Sequence, residues 1–220
     1  MNHEMVARAT TPRGEVVLRR DEAGTLELRV NGVFVMDTAH VATEEALAAA
    51  VLERLTEPGR VVVGGLGLGF TVRRLLADER VREVVVAEIE PPVAAWMRDG
   101  TVSRGPAIVG DPRVRLEVAD VREVVAAEPT GALGAVLLDV DNGPEGLVHH
   151  GNAAVYDPAF LDTCARRLRP DGWLAIWSAT ASTRLETALR AAVGSCERVP
   201  YAVDLDGRAE EYSVYLAHVS

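Results

Sequence analysis

Lysine is absent from this chain of 220 residues; every basic side chain is arginine or histidine. A phosphate-binding loop of the usual type needs a lysine ammonium on the phosphates, and a Schiff base needs a lysine amine, so both chemistries are excluded. Cysteine is nearly as scarce. Cys164 and Cys196 are the two present, without a metal-ligand spacing, and they read as reduced thiols rather than a disulfide framework or a metal site. No stretch approaches the apolar run needed to cross a bilayer. Met1 to Arg20 carries charge throughout and has no apolar segment, so no secretory leader is expected, and the expected location is the cytoplasm. Positive charge is in the minority, with 23 basic against 33 acidic residues and a net charge of -10. An acidic surface keeps the chain soluble and repels a phosphate backbone, which argues against nucleic acid as a partner.

What is present is enough apolar material for one well-buried core, at 48% hydrophobic residues. The first part alternates in short pieces: Glu15 to Arg19, Thr25 to Val30, then Asn31-Gly32 as a hairpin signal, then Val33 to Met36. This predicts a small antiparallel sheet over residues 1–42. A helix follows, with Thr43 as N-cap candidate, running to Leu55 and stopped by Pro58-Gly59.

From there the pattern changes. Short apolar runs at Arg60–Val63, Val84–Ala87, Val114–Val118, Ala135–Leu138 and Leu174–Trp177 are separated by helical segments at Thr71–Ala77, Pro92–Arg98, Val121–Ala127 and Pro158–Leu168. Buried runs alternating with helices predict a mostly parallel sheet covered on both faces. Glu197–Val203 and Tyr212–His218, with Asp206-Gly207 between them, predict an antiparallel hairpin at its edge. Residues 43–220 are therefore read as a Rossmann-like α/β domain with seven strands.

The chemistry concentrates where these strands end. Gly65-Leu66-Gly67-Leu68-Gly69 follows the first buried run and leads into a helix. Glycines let the backbone turn sharply and approach a ligand, and the helix N-terminus behind favours electron-rich groups. A tight turn with no ligand is the structural alternative. Glu88 lies about 20 residues on, where an acid can accept from ribose hydroxyls; Glu90 is second choice, and a solvated strand end is the alternative. Asp120 is placed either to accept the exocyclic amine of an adenine or to cap the helix that starts at Val121.

Asp139 ends the fourth run, and Asp141 follows in Val140-Asp141-Asn142-Gly143-Pro144, able to orient or deprotonate an acceptor amine, or simply to form a turn. Ligands of open α/β sheets bind outside the carboxyl ends of the strands, and the glycine turn, Glu88, Asp120 and Asp139 all fall there. His149-His150 has no third ligand at a recognisable spacing, so no metal is expected.

This order of motifs resembles the spermidine synthase family, the polyamine aminopropyltransferases, which share the class I methyltransferase fold. The resemblance runs through the glycine turn with Thr71 and Arg73, Ala87-Glu88-Ile89-Glu90-Pro91, Asp111-Pro112-Arg113-Val114, Asp120-Val121-Arg122, Leu138-Asp139 to Gly143-Pro144, Val155 to Phe160, and Leu168-Arg169-Pro170-Asp171-Gly172. It implies that Gly65, Gly67, Gly69, Glu88, Ile89, Asp120 and Val121 hold the nucleoside, Glu88 on the ribose and Asp120 on the adenine amine. Asp139, with Asp141, would serve the reacting amine.

The implied donor is decarboxylated S-adenosylmethionine, the by-product methylthioadenosine, the acceptor a small amine and the assembly a homodimer. Four positions depart from the family pattern. Leu68 stands where the family has an acid that holds the donor amine. Asp139-Val140-Asp141-Asn142-Gly143 replaces Asp-Ser-Ser-Asp-Pro, Trp177 replaces a glutamine, and Thr43-Glu44-Glu45 replaces Tyr-His-Glu. These departures leave two alternatives open: methyl transfer from S-adenosylmethionine itself to a small molecule, and non-catalytic nucleoside binding.

Overall fold

A computed structural model of the chain describes residues 3–39, 41–57, 59–205 and 208–219. The chain begins with four antiparallel strands in sequential order: β1 (Glu4–Thr11), β2 (Gly14–Arg20), β3 (Leu26–Val30) and β4 (Val33–Asp37). Asn31 and Gly32, at φ 53° and 76°, form the turn between β3 and β4. Two successive left-handed residues match the right-handed twist of the strands they join. β1 was not foreseen, because it alternates only weakly between half-buried and exposed positions.

Helix α1 (Ala42–Leu52) leads out of the small sheet. Its N-cap is Val41, without a side-chain hydrogen bond, rather than Thr43. Thr43 sits inside the first turn with its side chain buried, so it packs instead of capping. The helix ends three residues before Leu55, and Pro58, expected to stop it, lies outside the described residues.

The larger sheet then assembles from β5 (Gly59–Gly64), β6 (Val81–Glu88), β7 (Val114–Val118), β8 (Leu133–Leu138), β9 (Leu168–Ser178), β10 (Glu197–Leu205) and β11 (Arg208–His218). The spatial order is β10-β11-β9-β8-β5-β6-β7. β5 pairs in parallel with both β6 and β8, and β11 runs antiparallel between β9 and β10. The expected turn at Asp206-Gly207 lies outside the described residues, while the strands on either side of it pair antiparallel. The chain builds outward from β5 through β6 to β7, then returns to place β8 on the other side of β5. The two halves of the sheet thus diverge between β5 and β8, the place where open α/β sheets form a crevice.

Helices cover both faces. On one side lie α1, α2 (Phe70–Leu76), α3 (Pro91–Asp99) and α4 (Gly105–Val109), packed through Leu47, Leu75, Met97 and Ile108 against Val61, Val63 and Val86. On the other lie α5 (Val121–Ala127), α6 (Pro158–Arg167) and α7 (Thr183–Val193), whose Val125, Leu161 and Leu189 meet Val62, Val136 and Ile176. The alternation of β5, with Val61 and Val63 facing one way and Val62 the other, is the period-two rule of a strand buried on both faces. The small sheet joins the first of these cores: Val16, Leu18, Leu28 and Met36 belong to the same apolar cluster as Val61 and Leu75. Among the described residues no helix is long and apolar enough to cross a membrane.

Candidate active site

A cleft opens over the crevice between β5 and β8. It is lined by Gly65 and Gly67 from the glycine turn, Glu88, Ile89 and Glu90 after β6, Asp120 and Val121 after β7, and Asp139, Val140 and Asp141 after β8. Of the residues expected to hold the nucleoside or serve the reacting amine, all line it except Gly69. That residue takes φ 85° at the N-cap of α2, and a Cβ there would meet Met97 and Ile108 within 2.9 Å. Its demand for glycine comes from helix packing.

Gly65 is glycine for a different reason. At φ 91° a Cβ would lie 2.1 Å from the carbonyl oxygen of Asp139, so the glycine turn and the loop after β8 touch backbone to backbone. Gly65 N–H donates to the Ala87 carbonyl and Asp139 N–H to the Gly64 carbonyl, which extends the sheet register to the cleft floor.

Glu88 is the last residue of β6 and is buried. One carboxylate oxygen accepts from Leu66 N–H at 3.0 Å and the other from Glu90 N–H at 2.7 Å. Burial raises its pKa above the ordinary range, against the pull of those amides. Each oxygen keeps lone-pair capacity toward the cleft. Glu90 is engaged differently: Arg13 Nε donates to Oε1 at 3.1 Å and Thr11 Oγ1 to Oε2 at 3.0 Å. Arg13 also donates to Asn152 Oδ1 at 2.6 Å. The turn between β1 and β2 is therefore clasped across the cleft to two distant segments. Sequence reasoning missed Arg13; a Pro-Arg-Gly turn is visible in the chain, but its partners lie 77 and 139 residues away.

Asp120 caps α5, accepting from Arg122 N–H at 2.8 Å, and its carboxylate forms an ion pair with the Arg122 guanidinium at 2.7 Å. Burial works to raise its pKa, but the Arg122 hydrogen bonds outweigh burial and the net shift is downward. The capping role is the one present in the fold, and the residue also lines the cleft.

Asp139 is partly exposed to the cleft and accepts from Thr71 Oγ1 at 2.8 Å. The surrounding protein disfavours its charged form and lifts its pKa to about 6, with the Thr71 hydrogen bond acting against the rise. Asp141 takes φ 59°, a left-handed conformation that aspartate tolerates better than most side chains. Its Oδ1 accepts from Val148 N–H at 3.1 Å, while its buried Oδ2 makes no hydrogen bond among the described residues. Desolvation raises its pKa, opposed by Asn152, Val148 N–H, Arg13 and His149. Tyr156 pins the loop from beneath by donating to the Val140 carbonyl at 2.5 Å. His149 caps its own loop, accepting from Gly151 N–H through Nδ1. Among the described residues no group of three or more His, Cys, Asp and Glu is placed to hold a metal ion.

The far wall is apolar. Leu28, Val30, Val35 and Met36 from the small sheet face Trp177, the penultimate residue of β9.

No family model matches the chain. Among curated proteins it is 29% identical over 124 residues to polyamine aminopropyltransferase 2 of Pseudomonas aeruginosa, covering 54% of this chain and 33% of that protein. It is 30% identical over 136 residues to spermine synthase of Arabidopsis thaliana, covering 60% and 35%. A longer match of 212 residues, at 24% identity, joins it to the polyamine aminopropyltransferase of a Synechococcus strain, covering 90% and 66%. A spermidine synthase solved in complex with the transition-state analogue AdoDATO superposes over 99% of this chain and 74% of that one, with a TM-score of 0.79 and 15% identity. Spermidine synthase from Thermotoga maritima gives a TM-score of 0.76, also at 15% identity. This chain is similar to the spermidine synthase family. It carries that family's class I methyltransferase-like fold, and its matches span about a third of the length of the first two curated relatives.

The departures from the spermidine synthase pattern have definite places. Leu68 is buried, and its N–H donates to Met36 Sδ at 3.0 Å. Trp177 is buried, edge-on to Tyr212 with ring centroids 5.0 Å apart, and its indole N–H makes no hydrogen bond among the described residues. Asn142 reaches from the loop after β8 to the Phe34 carbonyl of the small sheet.

Proposed function

We propose that this chain is a transferase that moves an aminopropyl group from decarboxylated S-adenosylmethionine to a small amine. The observation that carries the reading is the charge of the cleft. Glu88, Glu90, Asp120, Asp139 and Asp141 line it against Arg13 and His149. Arg13 is already committed to Glu90 and Arg122 to Asp120. Glu88, Asp139 and Asp141 remain, which suits a donor with a cationic sulfonium and a cationic amine. A carboxylate on the donor tail, as in S-adenosylmethionine, would meet no uncommitted arginine on the cleft wall.

In this reading Glu88 accepts from the ribose hydroxyls, Asp120 from the adenine amine, and Gly65 and Gly67 allow the donor to lie on the backbone. Ile89 and Val121 pack against the base. The acceptor amine loses its proton to Asp139, with Asp141 orienting it. Its lone pair attacks the aminopropyl carbon next to sulfur. The carbon–nitrogen bond forms as the carbon–sulfur bond breaks, and the bonding electrons neutralise the sulfonium, releasing methylthioadenosine. Alignment of amine and carbon, and removal of a proton from a normally charged amine, are the protein's contributions. We read the chain as cytoplasmic and homodimeric by analogy with the family.

Calorimetric titration with S-adenosylmethionine, decarboxylated S-adenosylmethionine and methylthioadenosine, side by side, tests the reading. Tightest binding of the decarboxylated donor is expected. Tighter binding of S-adenosylmethionine would replace it with methyl transfer, and binding of none would remove it.

A further inference from the structure

The acceptor half of the cleft differs in chemistry from the donor half. In the sheet register Leu138 pairs with Ile176, so Asp139 and Trp177 are the next residues on adjacent parallel strands. A nitrogen held at Asp139 therefore has the indole as its lateral neighbour. Beyond it the cleft continues along Val35 and Met36 of β4 and Leu28 and Val30 of β3. Among the described residues no carboxylate stands on that wall. The acids of the cleft all sit at the ends of β6, β7 and β8, or in the loop directly after β8.

A second ammonium carried along an alkyl chain from the reacting nitrogen would be desolvated against Val, Leu, Met and Trp without a counter-charge, which is strongly unfavourable. An apolar body there would instead exchange water contact for close packing. Building on the transferase reading above, we propose that the acceptor is a primary monoamine with an apolar aliphatic or aromatic body, selected by Trp177, Val35 and Met36 against linear diamines.

The test uses the full chain with decarboxylated S-adenosylmethionine and follows methylthioadenosine release with hexylamine, phenethylamine and 1,4-diaminobutane as acceptors. A kcat/KM for either monoamine at least about tenfold above that for the diamine is expected. Val35 is only partly buried, so Val35→Glu tests the wall without opening the core. This variant should cut the monoamine-to-diamine ratio by about tenfold or more. Preference for the diamine, turnover of none of the three, or an unchanged ratio in Val35→Glu would overturn the proposal. Methylthioadenosine titration of the same protein separates the two levels. Nucleoside binding with the wrong amine preference defeats only the acceptor assignment, whereas absence of nucleoside binding defeats the transferase reading and the acceptor assignment with it.

Discussion

Thr71, in the first turn of α2, donates its hydroxyl to Asp139, the first residue after β8, at 2.8 Å. The bond orients the carboxylate over the glycine turn, and the surrounding protein holds its pKa at about 6. A base of that pKa is mostly ionised at neutral pH yet takes a proton readily. The kcat/KM profile is expected to rise with pH through about 6. Asp139→Asn should leave methylthioadenosine affinity within about twofold and lower kcat by roughly 100-fold or more. Turnover unaffected by this substitution would remove Asp139 from the reaction.

The same carboxyl predicts a stability signature. Its folded pKa lies above the unfolded value, so the folded state binds the proton more tightly. The stabilisation this provides is fully present below about pH 4 and is lost as pH rises through about 6. Asparagine keeps the Thr71 hydrogen bond and has no such loss. Between pH 4 and pH 8, Asp139→Asn should therefore gain about 2 kcal/mol relative to the parent chain, after discounting for the open side of the cleft. Urea unfolding of both proteins at the two pH values measures it.

Glu88 accepts from Leu66 and Glu90 amides while facing the cleft. Glu88→Ala removes the acceptor proposed for the ribose and leaves two inward amides unsatisfied. Methylthioadenosine affinity should fall by at least about tenfold, because a charge-assisted pair of bonds is lost. Calorimetry giving equal affinities would show that the ribose is held elsewhere.

Arg13 joins the small sheet to Glu90 and Asn152. Arg13→Ala leaves the buried Glu90 carboxylate without its cation. Because Arg13 keeps some solvent contact, a loss of about 1–3 kcal/mol is expected rather than the full cost of an isolated buried charge. Adding Glu90→Gln should recover part of it, which denaturant unfolding of the single and double variants would reveal.

Gly65→Ala must fit a Cβ 2.1 Å from the Asp139 carbonyl oxygen at φ 91°. The backbone has to move, and both nucleoside affinity and stability should drop together, the latter by about 2 kcal/mol or more. Gly67→Ala meets the flexible Met36 side chain instead and should cost less.

The parallel part of the fold was legible because strands buried on both faces leave unbroken apolar runs, as at Val61-Val62-Val63 and Val84-Val85-Val86. The glycine turn and the acids at the strand ends were legible because local chemistry marks them. α7 was missed, although Ser182 caps it and Leu185 and Leu189 are its buried face; four-residue spacing amid arginine and glutamate is a faint signal. Arg13, Val35 and Met36 were missed as cleft residues because their role depends on which face of the small sheet turns toward the larger one. No local pattern encodes that choice.

The shared cluster that joins Leu18, Leu28 and Met36 to Val61 and Leu75 bears on synthesis. The small sheet leaves the ribosome before the larger one, and the surface that buries its apolar face is encoded after it. Until that surface exists, Leu18, Leu28 and Met36 stand in water, and the burial that stabilises them in the finished fold is missing. The core these strands share with Val61 and Leu75 can close only once β5 and α2 have also been made, so the small sheet and the first half of the larger one are expected to become stable together.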